Sequence, residues 1–131
     1  MNTTPNPLDA LLTDDAATNR EQLAALVGPF VKIVKDSKEF EFLPAFSKLD
    51  NSSKVEIMLA ASKARALLFD ETDGLAPSEI IATQVMTEGS TKSAIKSLFD
   101  GRKIKKNKEG KKYILPPYRI PELVEKFIKS N

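Results

Sequence analysis

The sequence predicts a mainly α fold carrying one small β-hairpin. Three observations point there. Apolar residues recur at spacings of three and four, helix-start and helix-stop residues bound those runs, and residues 102–115 read RKIKKNKEGKKYIL. In that stretch seven of the first eleven residues are Lys or Arg and only Glu109 opposes them, yet Ile104, Tyr113, Ile114 and Leu115 lie within it. A disordered basic tail has no need of that apolar spacing, whereas a hairpin with one face on a domain requires it.

Residues 1–17, rich in Thr, Asn, Asp and Pro, read as a flexible N-terminal tail with a short helical turn at Leu8–Leu12. Residues 18–52 read as an N-terminal helical extension. Thr18 or Asn19 can cap a helix on which Leu23, Leu26, Val27, Phe30, Val31 and Val34 follow helical spacing. Gly28-Pro29 predicts a kink or break within it, because proline lacks the amide and clashes with the preceding turn. EFEFLPAFSKLD then reads as a connector whose phenylalanines anchor to the core.

At SSKVE, Ser53 and Glu56 have the spacing of a capping box. The helix that follows, Val55 to Phe69, is apolar around most of its circumference and predicts a central position. Asp73-Gly74 marks a turn. Pro77 suits a first helical position, Glu79 complements the helix dipole, and Leu75 with Ile80 fits a hydrophobic staple, so a helix is expected to Met86. TEG reads as a turn, and Ser90 as the cap of the next helix, with Ile95, Leu98 and Phe99 as its buried stripe. Gly101 is expected to end it in a left-handed conformation. Arg102–Lys106 and Lys111–Leu115 are the hairpin strands, joined at residues 107–110. Pro116-Pro117 closes them, and residues 117–131 hold a C-terminal helix with Leu123, Val124, Phe127 and Ile128 on one side.

Composition narrows the function. The 131 residues include no Cys and no His, which removes thiol chemistry, the commonest general base and the commonest transition-metal ligand. Asp14-Asp15 and Asp70-Glu71 fall in a tail and at a helix end, so neither pair reads as a catalytic or metal site. The expectation is no enzyme, no cofactor and no metal. No apolar run reaches membrane-spanning length, and the N-terminus lacks the basic and apolar regions of a secretory signal, which predicts a cytoplasmic protein. Residues 1–89 carry 8 Lys/Arg against 14 Asp/Glu, a net of −6, while residues 90–131 carry 12 against 4, a net of +8. Such asymmetry bears on partners rather than on fold.

From Ser53 to Leu115 the order is long helix, short helix, tight turn, short helix, basic hairpin. With the stretch LAPSEIIATQVMTEGSTKSAIKSLFDGRKIKKNKEGKKYIL, in which Ala94, Ile95 and Leu98 supply the helix core, this resembles the winged helix-turn-helix superfamily. The sequence departs from its pattern at Ala76, where a Thr or Ser cap is common, and at Thr91, where a larger aliphatic is common. The resemblance implies a winged helix-turn-helix domain at residues 53–116 with extra terminal helices. It implies a double-stranded DNA partner, with transcription regulation or replication or plasmid maintenance as the role. The third helix would enter the major groove with Ser90, Lys92, Ser93, Lys96 and Ser97 facing bases or phosphates. The wing residues Arg102, Lys103, Lys105, Lys106, Lys108, Lys111 and Lys112 would follow the flanking backbone, and helix-start amides near Ser78 and Ser90 would suit phosphate. A homodimer through the terminal helices would set two such helices on one duplex. Winged helices also serve as protein-interaction modules, and the same lysines would suit RNA or a ribosome.

Overall fold

The computed structural model describes residues 7–8 and 20–129, and these are mainly helical with two small antiparallel sheets. In chain order they are α1 (Arg20–Val27), β1 (Val31–Ile33), β2 (Phe40–Phe42), a 3₁₀ turn (Pro44–Lys48), α2 (Asn51–Phe69), α3 (Pro77–Ala82), α4 (Glu88–Asp100), β3 (Lys105–Lys106), β4 (Tyr113–Ile114) and α5 (Arg119–Val124). Wider π-type turns continue α5 through Glu125–Lys129. The tail at residues 1–17, apart from Pro7 and Leu8, and the caps at Thr18 and Asn19 lie outside the described residues.

The apolar circumference of α2 has its expected consequence. Every residue from Val55 to Lys63 is buried, and α1, α4, β1 and β4 pack around it. One cluster of buried side chains joins Leu23 and Leu26 of α1, Ile57 and Leu59 of α2, Ile95 and Leu98 of α4, Ile104 and Leu115 beside the hairpin, and Leu123 of α5. The C-terminal stripe is used within the chain. Leu123 and Val124 are buried, and Phe127 meets Phe30 edge to face at 5.9 Å.

Several local expectations are corrected. The Gly28-Pro29 step is a full break: the Gly28 amide donates to Ala24 at 2.9 Å and closes α1. Beyond it the chain is extended, so Val31 and Val34 are not helical. Val31–Ile33 pairs antiparallel with Phe40–Phe42, and EFEF is a strand rather than a connector. Its phenylalanines do anchor: Phe42 stacks on buried Phe46 at 4.6 Å.

The cap of α2 is Asp50, which accepts from the Ser53 amide at 2.8 Å. Glu56 is therefore free of local capping, and it points into the protein. At 2% exposure it receives the Arg119 guanidinium, with Nε at 2.6 Å. Helix α4 likewise starts early, with Thr87 as its cap accepting from the Ser90 amide at 3.1 Å. At its far end Gly101 is not left-handed; Arg102 is, with φ 60°. The Arg102 amide donates to Phe99 and the Lys103 amide to Leu98, a Schellman closure built on an arginine.

Helix α3 ends at Ala82, short of Met86. Both departures from the winged-helix pattern are locally satisfied. Ala76 offers no side-chain cap, but its own amide donates to Glu79 at 2.8 Å. Thr91 is fully buried, and its hydroxyl donates to the Thr87 carbonyl at 2.9 Å. The buried stripe of α4 is Thr91, Ala94, Ile95 and Leu98; Phe99 lies one residue further round and stays outside.

Two outcomes are expected. Replacing either Glu56 or Arg119 by Ala strands a buried charge and should cost roughly 3–5 kcal/mol in urea unfolding, whereas a double apolar replacement should cost much less. Hydrogen bonding by Ser53, side chain first and amide second, holds the Asp50 carboxyl below its ordinary value of 3.8. A lowered folded value contributes stability above the unfolded pKa and loses it as pH falls. Asp50→Ala should thus cost about 1 kcal/mol near neutrality. The gap to wild type should narrow below pH 3.8, as read by thermal melts across acidic pH.

Candidate nucleic-acid interface

The basic hairpin is shorter in regular pairing than its sequence suggests, with Lys105 opposite Ile114 and Lys106 opposite Tyr113. Its turn is the expected one: the Asn107 amide donates to Lys112 at 2.8 Å and the Gly110 amide to Asn107 at 2.9 Å. Ile104 and Leu115, flanking the strands, are buried and fasten the hairpin to the core.

The hairpin is also tied to the loop between α2 and α3. Leu75 and Tyr113 exchange two backbone hydrogen bonds, at 3.0 and 2.9 Å, a single antiparallel bridge beside β4. Gly74 makes this approach possible. Its φ is 119°, and a Cβ there would stand 3.0 Å from the Lys112 Cβ and 3.2 Å from the Tyr113 carbonyl. The loop itself is held by α2. Lys63 donates to Asp73 at 2.8 Å, and the Ser62 hydroxyl accepts the Gly74 amide at 3.0 Å. On the other side, the Tyr118 hydroxyl donates to the Arg102 carbonyl at 2.7 Å, where α4 passes into the hairpin.

This places the hairpin against the C-terminal end of α4. Tyr113 meets Phe99 edge to face at 5.7 Å, and the Lys106 ammonium lies 5.7 Å from the Phe99 ring and 5.9 Å from the Tyr113 ring. The two groups of site residues expected from sequence are thus neighbours. Lys92, Ser93, Lys96 and Ser97 are exposed along α4, and Arg102, Lys103, Lys106, Lys108 and Lys111 are exposed on and beside the hairpin.

Three of the expected residues are differently engaged. Ser90 is half-buried within the first turn of α4, and its amide is taken by Thr87. Lys112 is half-buried and lies 3.4 Å from Glu79 of α3. Lys105 is half-buried in β3. Near Ser78 the Ala76 amide is occupied by Glu79.

Charge is unequally divided across the surface. Residues 102–112 sum to +6. The α4 face sums to zero, because each lysine has an acid one turn away: Glu88 lies 3.8 Å from Lys92, and Asp100 lies 2.9 Å from Lys96. Both acids stand four residues from their lysines, a spacing legible in the sequence. Between Ser93 and Ser97 of α4 and Asn51 and Ser52 of α2 is a polar depression of about 400 Å³. Across α4, next to Phe99 and Tyr113, is a more apolar one of about 250 Å³.

The chain matches no protein-family model, no curated protein and no solved structure. Among the described residues no helix is long and apolar enough to cross a membrane.

Asp100→Asn tests the charge balance. It removes the acid that holds Lys96 and takes a negative charge from a helix C-terminus, where the dipole disfavours it. The melting temperature should be unchanged or slightly higher, and retention on heparin should extend to higher salt. Unchanged retention would mean that the α4 lysines contribute nothing to polyanion binding.

Proposed function

We propose that this chain is a winged-helix nucleic-acid-binding protein whose ligand is double-stranded DNA, in transcription regulation or in replication or plasmid maintenance. The observation that carries the reading is the +6 hairpin held beside the C-terminal end of α4, by the Leu75–Tyr113 pairing on one side and the Tyr118–Arg102 hydrogen bond on the other. The order α2, paired Leu75, α3, α4, β3, β4 supports a winged helix-turn-helix core, with α4 as the groove helix and the hairpin as the wing.

In this mode α4 enters the major groove, which accepts one helix, and the wing lies along the adjoining backbone. Most of the attraction comes from the wing, since the α4 face is neutral until its lysines exchange their acids for phosphate. Such exchange is easy, because exposed pairs one turn apart hold by only about 0.3–0.5 kcal/mol. The α4 face offers lysines and serines and no Arg, Asn or Gln for two-point base contact. Binding is therefore led by phosphates, with modest sequence preference. The proposal concerns one copy of the chain, in which Leu123 and Val124 are buried.

A second reading, a protein-interaction module, is favoured by one observation. Leu68 is 66% exposed beside an apolar groove between α1 and α2.

The test is duplex DNA binding by fluorescence anisotropy across a salt series, with an RNA hairpin as competitor. Affinity should fall with salt at a log–log slope of roughly −0.9 per phosphate contact. Replacing Lys103, Lys108 and Lys111 by Ala should weaken all duplexes alike and flatten that slope, because backbone contacts carry little sequence information. Replacing Ser93 or Lys96 should instead alter the ranking of duplexes. No binding at low salt would overturn the proposal in favour of the interaction module, and preference for the hairpin would move it to RNA.

A further inference from the structure

Phe99 sits where a helix facing solvent has no need of an aromatic ring. It is 40% exposed at the outer edge of α4, beside Lys96 and Asp100. Single exposed apolar residues are ordinary on protein surfaces. Phe99 is not single. Tyr113 of the hairpin stands edge-on to it with the ring planes at 77°, and Lys106 covers both rings at 5.7 and 5.9 Å. The rings form one wall of a depression of about 250 Å³, whose other lining includes Pro77, Ile95, Lys92 and Lys96. Its interior is apolar and its rim carries lysine. The one acid in that lining, Asp100, is already neutralised by Lys96 at 2.9 Å.

We infer that this depression takes the base of an unpaired nucleotide, stacked on Phe99, from a single-stranded DNA tail adjoining the duplex that the wing holds. The inference rests on the nucleic-acid-binding reading above and narrows its ligand. An unpaired nucleotide joins the two things the pocket presents, a flat π face for the aromatic ring and a phosphate for the rim lysines. In an intact duplex the base faces are stacked on one another and unavailable, so only base edges and phosphates reach the surface. Single-strand binders combine a basic track with aromatic side chains for this reason. Lys106 is exposed and long, so its ammonium can leave the Phe99 ring for the nucleotide's phosphate without disturbing the strand pairing at its backbone. Acidic peptides can satisfy the rim, but they bring a π face only by chance of sequence, whereas every nucleotide carries one.

The experiment compares three labelled ligands on the intact chain: a blunt duplex, the same duplex with an oligo(dT) tail, and the same duplex with an abasic tail of equal length. The abasic tail keeps the phosphates and removes the bases. The expected result is that the dT tail binds tighter than the abasic tail, by roughly 5- to 150-fold for one stacked base. Phe99→Ala should bring the two tails level while the blunt duplex is still bound. A second variant keeps the test decisive if Phe99→Ala does not fold. The chain has no Trp, so Phe99→Trp supplies the sole indole. Its emission should be quenched by the dT-tailed duplex and unmoved by the abasic one. Equal binding of both tails by the wild type, with the blunt duplex still bound, would overturn the stacking inference and leave the duplex reading in place. Loss of all three ligands would overturn both.

Discussion

Two buried charges on one face of α2 hold the basic hairpin where it is. Glu56 and Lys63 are seven residues apart, two helical turns on the same side. From Glu56 the chain of contacts runs to Arg119, then to its neighbour Tyr118, and by the tyrosine hydroxyl to the Arg102 carbonyl at the end of α4. From Lys63 it runs to Asp73, then through Gly74 to Leu75 and across two backbone hydrogen bonds to Tyr113. The hairpin is thus gripped at its entry and at its returning strand by polar groups of the same helix that β4 packs against. Burying charge is expensive, and an apolar pair would serve stability equally well or better. What the ionic groups add is direction: a bidentate guanidinium and a two-oxygen acceptor fix orientation in a way that apolar packing does not.

That rigidity matters because the hairpin carries like charges at close quarters. Seven cations within eleven residues repel one another, and in a loose loop they would spread. Ile104 and Leu115 in the core, the Leu75 pairing and the Lys106 ammonium above two rings keep them together. Helix α4 is arranged the opposite way. Its lysines are exposed but locally cancelled by Glu88 and Asp100, so its field is weak until another anion competes for them. On the proposed function, a polyanion would meet the field of the hairpin first and compete for the α4 lysines afterwards.

Much of this was legible in the sequence. The long helix buried on all sides from Val55 to Lys63, Pro77 at a helix start, the turn at residues 107–110 and the inward Ile104 and Leu115 follow from periodicity and turn chemistry, which are local. The failures share one cause. Ser53 with Glu56 has the spacing of a capping box, yet Glu56 bonds a residue 63 positions away. Spacing cannot separate a local acceptor from a tertiary one. The same ambiguity hid β1. Leu23, Leu26, Val27, Phe30, Val31 and Val34 fit a helix in spacing, and only the pairing of Val31 with Phe42 decides that the last of them are extended. In the candidate interface the sequence shows the number of cations but not their arrangement. That Phe99 faces out rather than in is a matter of one residue's rotation about α4.

The end of α4 shows what such a surface costs its own fold. Arg102 holds a left-handed conformation that glycine adopts freely, and Gly101 stands immediately before it in an ordinary one. A sequence tuned for stability alone would place glycine at 102. Asp100, next along, sits against the negative end of the helix dipole. Both residues are unfavourable where they stand, and both shape the charge at the junction of helix and hairpin: one adds a cation, the other restrains Lys96. Left-handed non-glycine residues also stand at Lys38, Asp70 and Gln84, each away from the hairpin. Asp100 and Arg102 fall within three residues of Phe99, where α4, the aromatic pair and the basic hairpin meet.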